Sequence, residues 1–366
     1  MEASQVVRRR LTGLGLAGTA AADPVDVVHR LGAVQAQDYG PALWSLGQRT
    51  GLPEPAAEAP VLCGHLLRTH VLRPTWHLVA AADLAWLQAL TADRVHAANA
   101  HYYRRNGLDE QELERTRRVI EAAVGEAGEL TRGQVRDALL AAGIDVGELR
   151  LVLILMNAEL AATVCSGARR GRQQTYALVR DRITAPRELD RDAALAELTW
   201  RYFGTHGPAG VKDFAWWSSL RRGDIERGLA LVGDRLRRDD LDGVPVWSSA
   251  EGGGRAPEPG EEPLVTLVQA YDEYIVGYTQ TKYVLDLAGL ARSRPPGATV
   301  RNQQFLIDGQ VAGSWRRTAA ARQVTVEVTL DRPLTPAEQA GLEAESARFG
   351  AFLGLPARLV TEPGPG

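Results

Sequence analysis

The run Thr131-Arg132-Gly133-Gln134-Val135-Arg136-Asp137-Ala138-Leu139-Leu140-Ala141-Ala142-Gly143 is a short helix with both ends marked. Thr131 is a capping type, because its hydroxyl can accept a bond from a backbone N–H left over in the first turn. Gly143 is the type that closes helices, since it adopts the left-handed conformation without steric cost. Working outward, Asp109 to Gly125 reads as an amphipathic helix with apolar positions at Leu113, Val119, Ile120 and Val124. On the other side a denser apolar helix runs from Val146 to about Leu160. Past the basic stretch Arg169-Arg170-Gly171-Arg172, the segment Gln174-Thr175-Tyr176-Ala177-Leu178-Val179 has strand character. Three helices followed by a hairpin make a helix-turn-helix unit with a wing.

The same order recurs on both sides. From Asp190 a helix reaches Thr205, a turn falls at His206-Gly207-Pro208, and a helix carries Trp216-Trp217, read as core. A further helix runs from Gly223 to Val232, and Leu236 to Trp247 supplies a wing. N-terminally, helices are expected near Gln5 to Leu14, Pro24 to Leu31 and Pro41 to Arg49, with a hairpin pairing Thr69–Arg73 with Thr75–Val79. Ser248 to Pro263, with Gly252-Gly253-Gly254, reads as a linker. Beyond it the pattern changes to strands at Leu264–Val268, Gln303–Ile307, Gln310–Arg316 and Gln323–Leu330, with a tight turn at Asp308-Gly309. A closing helix, Thr335 to Leu353, starts at Thr-Pro-Ala-Glu. The expectation is an α+β fold of tandem winged-helix (helix-turn-helix) units over 1–105, 106–188 and 189–250, and a C-terminal small antiparallel β-sheet and helix unit over 264–366.

At 366 residues the chain exceeds what one core serves. With 45% hydrophobic and 24% charged residues it has globular proportions. No apolar run of about 18 residues and no signal-like N-terminus is present, so a cytoplasmic protein with no membrane association is expected. Cys63 and Cys165 lie far apart outside any metal-binding spacing; two buried thiols, no metal and no disulfide are expected. The net charge of -3 argues against a protein that coats nucleic acid non-specifically. Only Lys212 and Lys282 are lysines, which leaves 42 minus 2, or 40, arginines. Codon usage in a GC-rich genome accounts for the total, while any arginine that meets a phosphate or base edge offers a planar fork.

Gly13-Leu14-Gly15-Leu16-Ala17-Gly18 matches the dinucleotide-binding glycine pattern, but a charged helix precedes it where a buried strand is required, so it reads as a helix end and loop, and no cofactor is expected. Leu31-Gly32-Ala33-Val34-Gln35-Ala36-Gln37-Asp38-Tyr39-Gly40 is more informative. On an extended backbone, Gln35 and Gln37 point to the same face, and two carboxamides could grip one water molecule; a polar capping loop is the plainer alternative. Asp38 would face away from both, as a supporting residue or cap.

Three stretches resemble the winged-helix DNA glycosylases of the AlkZ and YcaQ type: Val34-Gln35-Ala36-Gln37-Asp38, then Arg68-Thr69-His70-Val71-Leu72-Arg73-Pro74-Thr75-Trp76-His77-Leu78-Val79, then Tyr271-Asp272-Glu273-Tyr274-Ile275-Val276-Gly277-Tyr278 with the Leu306–Gly309 turn. The resemblance spans about residues 5–360. It implies a monofunctional glycosylase of the Gln-x-Gln, AlkZ-like branch, with Gln35 and Gln37 catalytic. Some members of that branch protect bacterial producers of DNA-alkylating natural products from their own toxin. The substrate implied is double-stranded DNA carrying N7- or N3-alkylated purines, with interstrand crosslinks or bulky natural-product adducts among the implied lesions, bound by a monomer on the nucleoid. The resemblance further implies that the hairpin Ser314 to Gln323, with Arg316, Arg317 and Arg322 around its tip, probes the DNA groove. Arg73 and Arg169, Arg170 and Arg172 are further DNA-binding candidates, and His70 and His77 either touch DNA or satisfy hydrogen bonds within the first wing. Winged helices also serve transcriptional regulators, and a lesion-binding protein without catalysis fits the same pattern.

Overall fold

The computed structural model describes residues 1–171, 173–251, 262–290 and 303–364. The N-terminal third comprises α1 (Ala3–Gly13), α2 (Pro24–Leu31), β1 (Val34–Gln35), α3 (Tyr39–Thr50), α4 (Glu54–Leu62), the hairpin β2 (Leu66–Val71) and β3 (Arg73–Ala80), and α5 (Leu84–Arg105). Then come α6 (Glu110–Ala127), β4 (Glu129–Thr131), α7 (Arg132–Ala141), α8 (Glu148–Leu160), β5 (Val164–Ser166), β6 (Thr175–Leu178) and α9 (Val179–Arg182). A third stretch holds α10 (Arg191–Thr205), β7 (Ala209–Gly210), α11 (Val211–Ser218), α12 (Arg222–Val232), β8 (Leu236–Leu241) and β9 (Val244–Ser249). The remainder is β10 (Val265–Val268), α13 (Glu273–Val276), β11 (Gln303–Ile307), β12 (Gln310–Ala319), β13 (Val324–Leu330), α14 (Pro336–Leu353) and β14 (Ala357–Pro363).

The class is α+β. Each of the first three stretches carries a three-stranded sheet in which a short strand joins the outer side of a hairpin, in the orders β1-β3-β2, β4-β6-β5 and β7-β9-β8. Local chemistry sets the helix ends. Thr131 accepts from Gln134 N–H while the Gln134 side chain reaches back to the Thr131 backbone. Asp190, Asp109 and Asp23 cap α10, α6 and α2 in the same sense. Thr335 and Glu338 form the reciprocal pair that opens α14.

Several expectations need correction. The first hairpin turns at Leu72, not Pro74, with φ +64. Leu72 is fully buried in the core, and that burial outweighs the strain of a left-handed non-glycine residue. Arg73 therefore starts the second strand, on the face it shares with Thr75 and His77. The C-terminal sheet is mixed, not antiparallel, because β14 adds to β13 in parallel; α14 is the crossover such a pairing requires. Trp217 is core but Trp216 is 56% exposed, as adjacent helical positions face different ways. Cys165 is buried whereas Cys63, at the end of α4, is exposed. Most of the expected linker, residues 252–261, and Arg172 lie outside the described residues.

The cores cross between sequence regions. One apolar cluster joins Val6, Leu31, Val34 and Trp44 with Leu267, Phe305, Trp315 and Phe349. A second joins Leu67, Val79 and Trp86 with Tyr202, Phe214, Trp217 and Tyr278. The 31–40 segment sits where they meet. Trp44 illustrates the linkage: its Nε1 donates to the Leu267 carbonyl at 2.7 Å, and Phe349 meets its ring edge-on at 5.0 Å.

Candidate active site

β1 is two residues long, yet it fixes the Gln-x-Gln stretch on the hairpin. Gln35 stands opposite His77 in the register with β3, and Ala36 N–H continues the ladder to the Trp76 carbonyl at 2.7 Å. Both carboxamides turn toward β3. Arg73 Nη2 donates to Gln35 Oε1 at 2.7 Å, and Trp76 N–H lies 3.4 Å from Gln37 Oε1. Gln35 is buried; Gln37 is half-buried and Asp38 exposed.

Behind Gln35 lies a buried charged cluster. Arg73 also donates to the Trp217 carbonyl at 3.2 Å, and its Nη2 is 3.3 Å from His77 Nε2. His77 Nδ1 sits 2.9 Å from the Thr75 carbonyl, which can only accept. The His77 proton is therefore on Nδ1 and its Nε2 accepts from Arg73. Burial, reinforced by Arg73, holds His77 well below the usual imidazole range, so it is neutral. Burial also lowers the pKa of the Arg73 guanidinium, opposed by the charge of Glu273. Glu273 accepts from Gln35 N–H at 2.9 Å and from Trp217 Nε1 at 2.7 Å, and its other near neighbour is His206 Nε2 at 3.3 Å. Its charge offsets that of Arg73 within one buried cluster, where a lone buried charge would cost several kcal/mol, about 3–5 when a partner is removed.

The neighbouring Asp272 anchors this carboxylate. Arg49 reaches it with two bonds, of 2.8 and 2.9 Å, while donating to the Leu14 carbonyl at 2.7 Å. Ser45 Oγ and Tyr274 N–H complete the shell. Although burial alone would raise it, Arg49 and these donors hold the Asp272 carboxyl below its usual range. The glycine-rich turn after α1 is thus a structural anchor. Tyr274 OH in turn donates to the Gly309 carbonyl at 2.8 Å, in a turn with φ +49 and +75 at Asp308 and Gly309. A Cβ on Gly309 would meet that phenol oxygen at 2.4 Å.

In front, Arg68 of β2, Arg169 of the loop between β5 and β6, and Arg317 of β12 surround residues 36–40. Arg68 donates to the Ala36 and Gln37 carbonyls at 2.9 and 3.3 Å. Arg169 lies over the Tyr39 ring at 4.7 Å and bonds Glu58. Arg317 packs beside Phe349, and its guanidinium comes so near Gly40 that a Cβ there would stand 2.9 Å from Nη2. Glycine at 40 permits this approach. Burial lowers the pKa of both Arg68 and Arg317.

The other candidates fall as follows. Arg316 is exposed and paired with Glu327 on the adjacent strand, and Arg322 is exposed at the hairpin tip. Arg170 is exposed and donates to the Glu129 carbonyl at 2.9 Å. His70 does not line the surface; it is buried against Glu159 and Trp76. Arg73 is likewise buried, serving Gln35. Asp38 occupies the cap position of α3 without a side-chain cap bond. Sequence reasoning did not single out Glu273, Arg68, Trp217 or His206. The first two stood inside the resembling stretches, but nothing in the sequence reveals that they converge on Gln35 and Gln37.

Comparison with known proteins bears on this arrangement. The profile of a family described as DNA glycosylase AlkZ-like matches residues 28–352. A Streptomyces sahachiroi protein named interstrand DNA cross-link repair glycosylase is 25% identical over 348 residues, 92% of this chain and 93% of its own. The solved structure of Streptomyces sahachiroi DNA glycosylase AlkZ aligns with a TM-score of 0.78 at 23% identity, covering 98% of this chain and 100% of that one, which shows a shared fold. The chain belongs to the AlkZ-like DNA glycosylase family.

Proposed function

We propose that this DNA glycosylase hydrolyses the N-glycosidic bond of cationic N7- and N3-alkylated purines in double-stranded DNA, as a cytoplasmic monomer, with water as nucleophile and no lyase step. The observation that carries the reading is the neutral carboxamide pair, with Gln35 locked by Arg73 and Glu273 and Gln37 left half-open beside it. An alkylated purine is already positively charged, so its bond to C1′ is weakened and no strong acid is required to expel it. Water oxygen bonds to C1′ as the C1′–N bond breaks; the bonding pair goes to the base, which becomes neutral, and the water releases a proton to solvent. Gln35 and Gln37 orient that water and set carboxamide dipoles against the developing oxocarbenium charge.

The three three-stranded sheets with their helices read as tandem winged helices that grip the backbone. Arg68, Arg169 and Arg317 then form the cationic rim around Gln37, with Arg170, Arg316 and Arg322 further out. The relative's name supports the cross-link part of this reading, in which the excised purine is tethered to the opposite strand. Among the described residues no helix is long and apolar enough to cross a membrane. The test is incubation with duplex DNA bearing N7-methylguanine. Free base with an intact abasic strand is expected; absence of abasic product across several alkylated purines would leave lesion binding or transcriptional regulation in its place.

A further inference from the structure

We propose that Glu159 of α8 is a positioning residue for the reaction: its carboxylate fixes the Trp76 side chain, and Trp76 with Arg68 holds Gln37 in place. This rests on the hydrolytic reading above and adds to it a residue from outside the first hairpin. Glu159 is buried and stands one residue before the end of α8. A carboxylate there opposes the negative end of the helix dipole and gives up its hydration, so nothing local favours it. Its partners are remote. Oε1 accepts from Trp76 Nε1 at 3.4 Å, Oε2 contacts His70 Nδ1, and the Glu159 carbonyl accepts from Gln88 Nε2. His70 is buried and stands opposite Trp76 in the hairpin register, with the two rings 4.6 Å apart. One carboxylate therefore holds both rings.

Trp76 passes this constraint to the reacting groups. Its carbonyl accepts from Ala36 N–H at 2.7 Å, and its N–H faces Gln37 Oε1 at 3.4 Å. Arg68 lies over the indole at 4.4 Å and donates to the Ala36 and Gln37 carbonyls at 2.9 and 3.3 Å. Glu159 also acts on Arg68 through its charge, since burial lowers the guanidinium pKa and this carboxylate is the foremost group opposing the fall. Gln37 is half-buried and its own side-chain bond is long, so these two neighbours set its angle. A displacement of about 1 Å at a reacting group costs on the order of 100-fold in rate. Because α8 belongs to the second three-stranded unit, the docking of that unit tunes the Gln-x-Gln strand of the first.

The experiment measures single-turnover excision of N7-methylguanine, above its spontaneous loss, and affinity for the same duplex in Glu159→Leu, Trp76→Phe and the double variant. Leucine keeps the bulk of Glu159 without its oxygens, and phenylalanine keeps a ring without the indole N–H. Each single variant is expected to lose about 10- to 100-fold in rate while its Kd for the duplex stays within about twofold of parent. The double variant is expected to fall within about twofold of the slower single, because both changes break one linkage. A parental rate in either folded single variant, a loss of affinity that matches the loss of rate, or losses that multiply in the double variant would overturn the proposal. Should Glu159→Leu fail to unfold cooperatively, Trp76→Phe alone decides by the same rate and affinity criteria. If the parental protein excises no N7-methylguanine, the hydrolytic reading fails together with this one, whereas parental-rate excision by the variants removes only the role of Glu159.

Discussion

Replacing Gln35 and Gln37 by alanine, one at a time, separates two residues that look equivalent in sequence. Gln35 Oε1 is the acceptor, at 2.7 Å, for the guanidinium of Arg73, a residue 9% exposed, whereas Gln37 Oε1 faces Trp76 N–H at 3.4 Å. Gln35→Ala therefore leaves a buried cationic N–H unsatisfied, at a cost of about 1.5–3 kcal/mol. At roughly 2–4 °C per kcal/mol, a loss near 2.5 kcal/mol lowers Tm by about 5–10 °C. Gln37→Ala gives up one long bond near solvent, about 0.5 kcal/mol, and should move Tm by under about 2 °C. Both should lower single-turnover excision of N7-methylguanine by about 10- to 1,000-fold with DNA affinity unchanged, and the double mutant should fall well short of additive. Calorimetry and quenched-flow excision on the same preparations provide the readout. Equal shifts in Tm for the two mutants would refute the buried-acceptor argument. Parental rates in the folded single mutants would refute the Gln-x-Gln assignment and leave Asp38 as the adjoining group able to take a proton.

Glu273→Gln keeps the volume but must turn an NH₂ toward either Gln35 N–H or Trp217 Nε1–H and leaves Arg73 uncompensated; a stability loss of about 2–4 kcal/mol, a lower kcat at unchanged KM and a shifted Trp217 emission are expected, and an unchanged kcat would show that the carboxylate does not position Gln35. Arg316→Ala should weaken binding to damaged and undamaged duplex alike and reduce the log–log salt slope by about 1 without altering Tm, while Arg317→Ala should also slow excision because that side chain borders Gly40. Identical anisotropy titrations across salt for parent and both mutants would take the hairpin out of the interface. Acid stability provides a third check: hydrogen bonding to Arg332 lowers Glu338 from its ordinary value of 4.5 to about 2. Its contribution is therefore present above about pH 4.5 and lost as pH falls through 2, so Glu338→Gln should flatten that limb of the unfolding curve; identical parental and mutant curves from pH 5 to 2 would dismiss the pair.

Much of the secondary structure was legible because it is written locally. Thr131, Asp190 and Thr335 cap where their side chains can reach a free N–H, and Asp308-Gly309 turns because both adopt positive φ. Periodicity exposed which faces of the helices are apolar, since burial follows a repeat of 3.6 residues. Other features depended on distant partners. Leu72 took the turn because a core built from remote segments buries it, and β14 paired in parallel because α14 carries it across the sheet. The site divides in the same way. The sequence alone marked Gln35, Gln37 and the arginine-bearing hairpin, which are contiguous motifs. Only the tertiary structure brought Glu273 to the Gln35 amide across 238 positions, withdrew His70 and Arg73 from the surface, and placed Arg317 over Gly40. Side-chain type and spacing carry local hydrogen-bonding information, whereas charge pairing in a dry interior depends on which segments the shared apolar clusters force together.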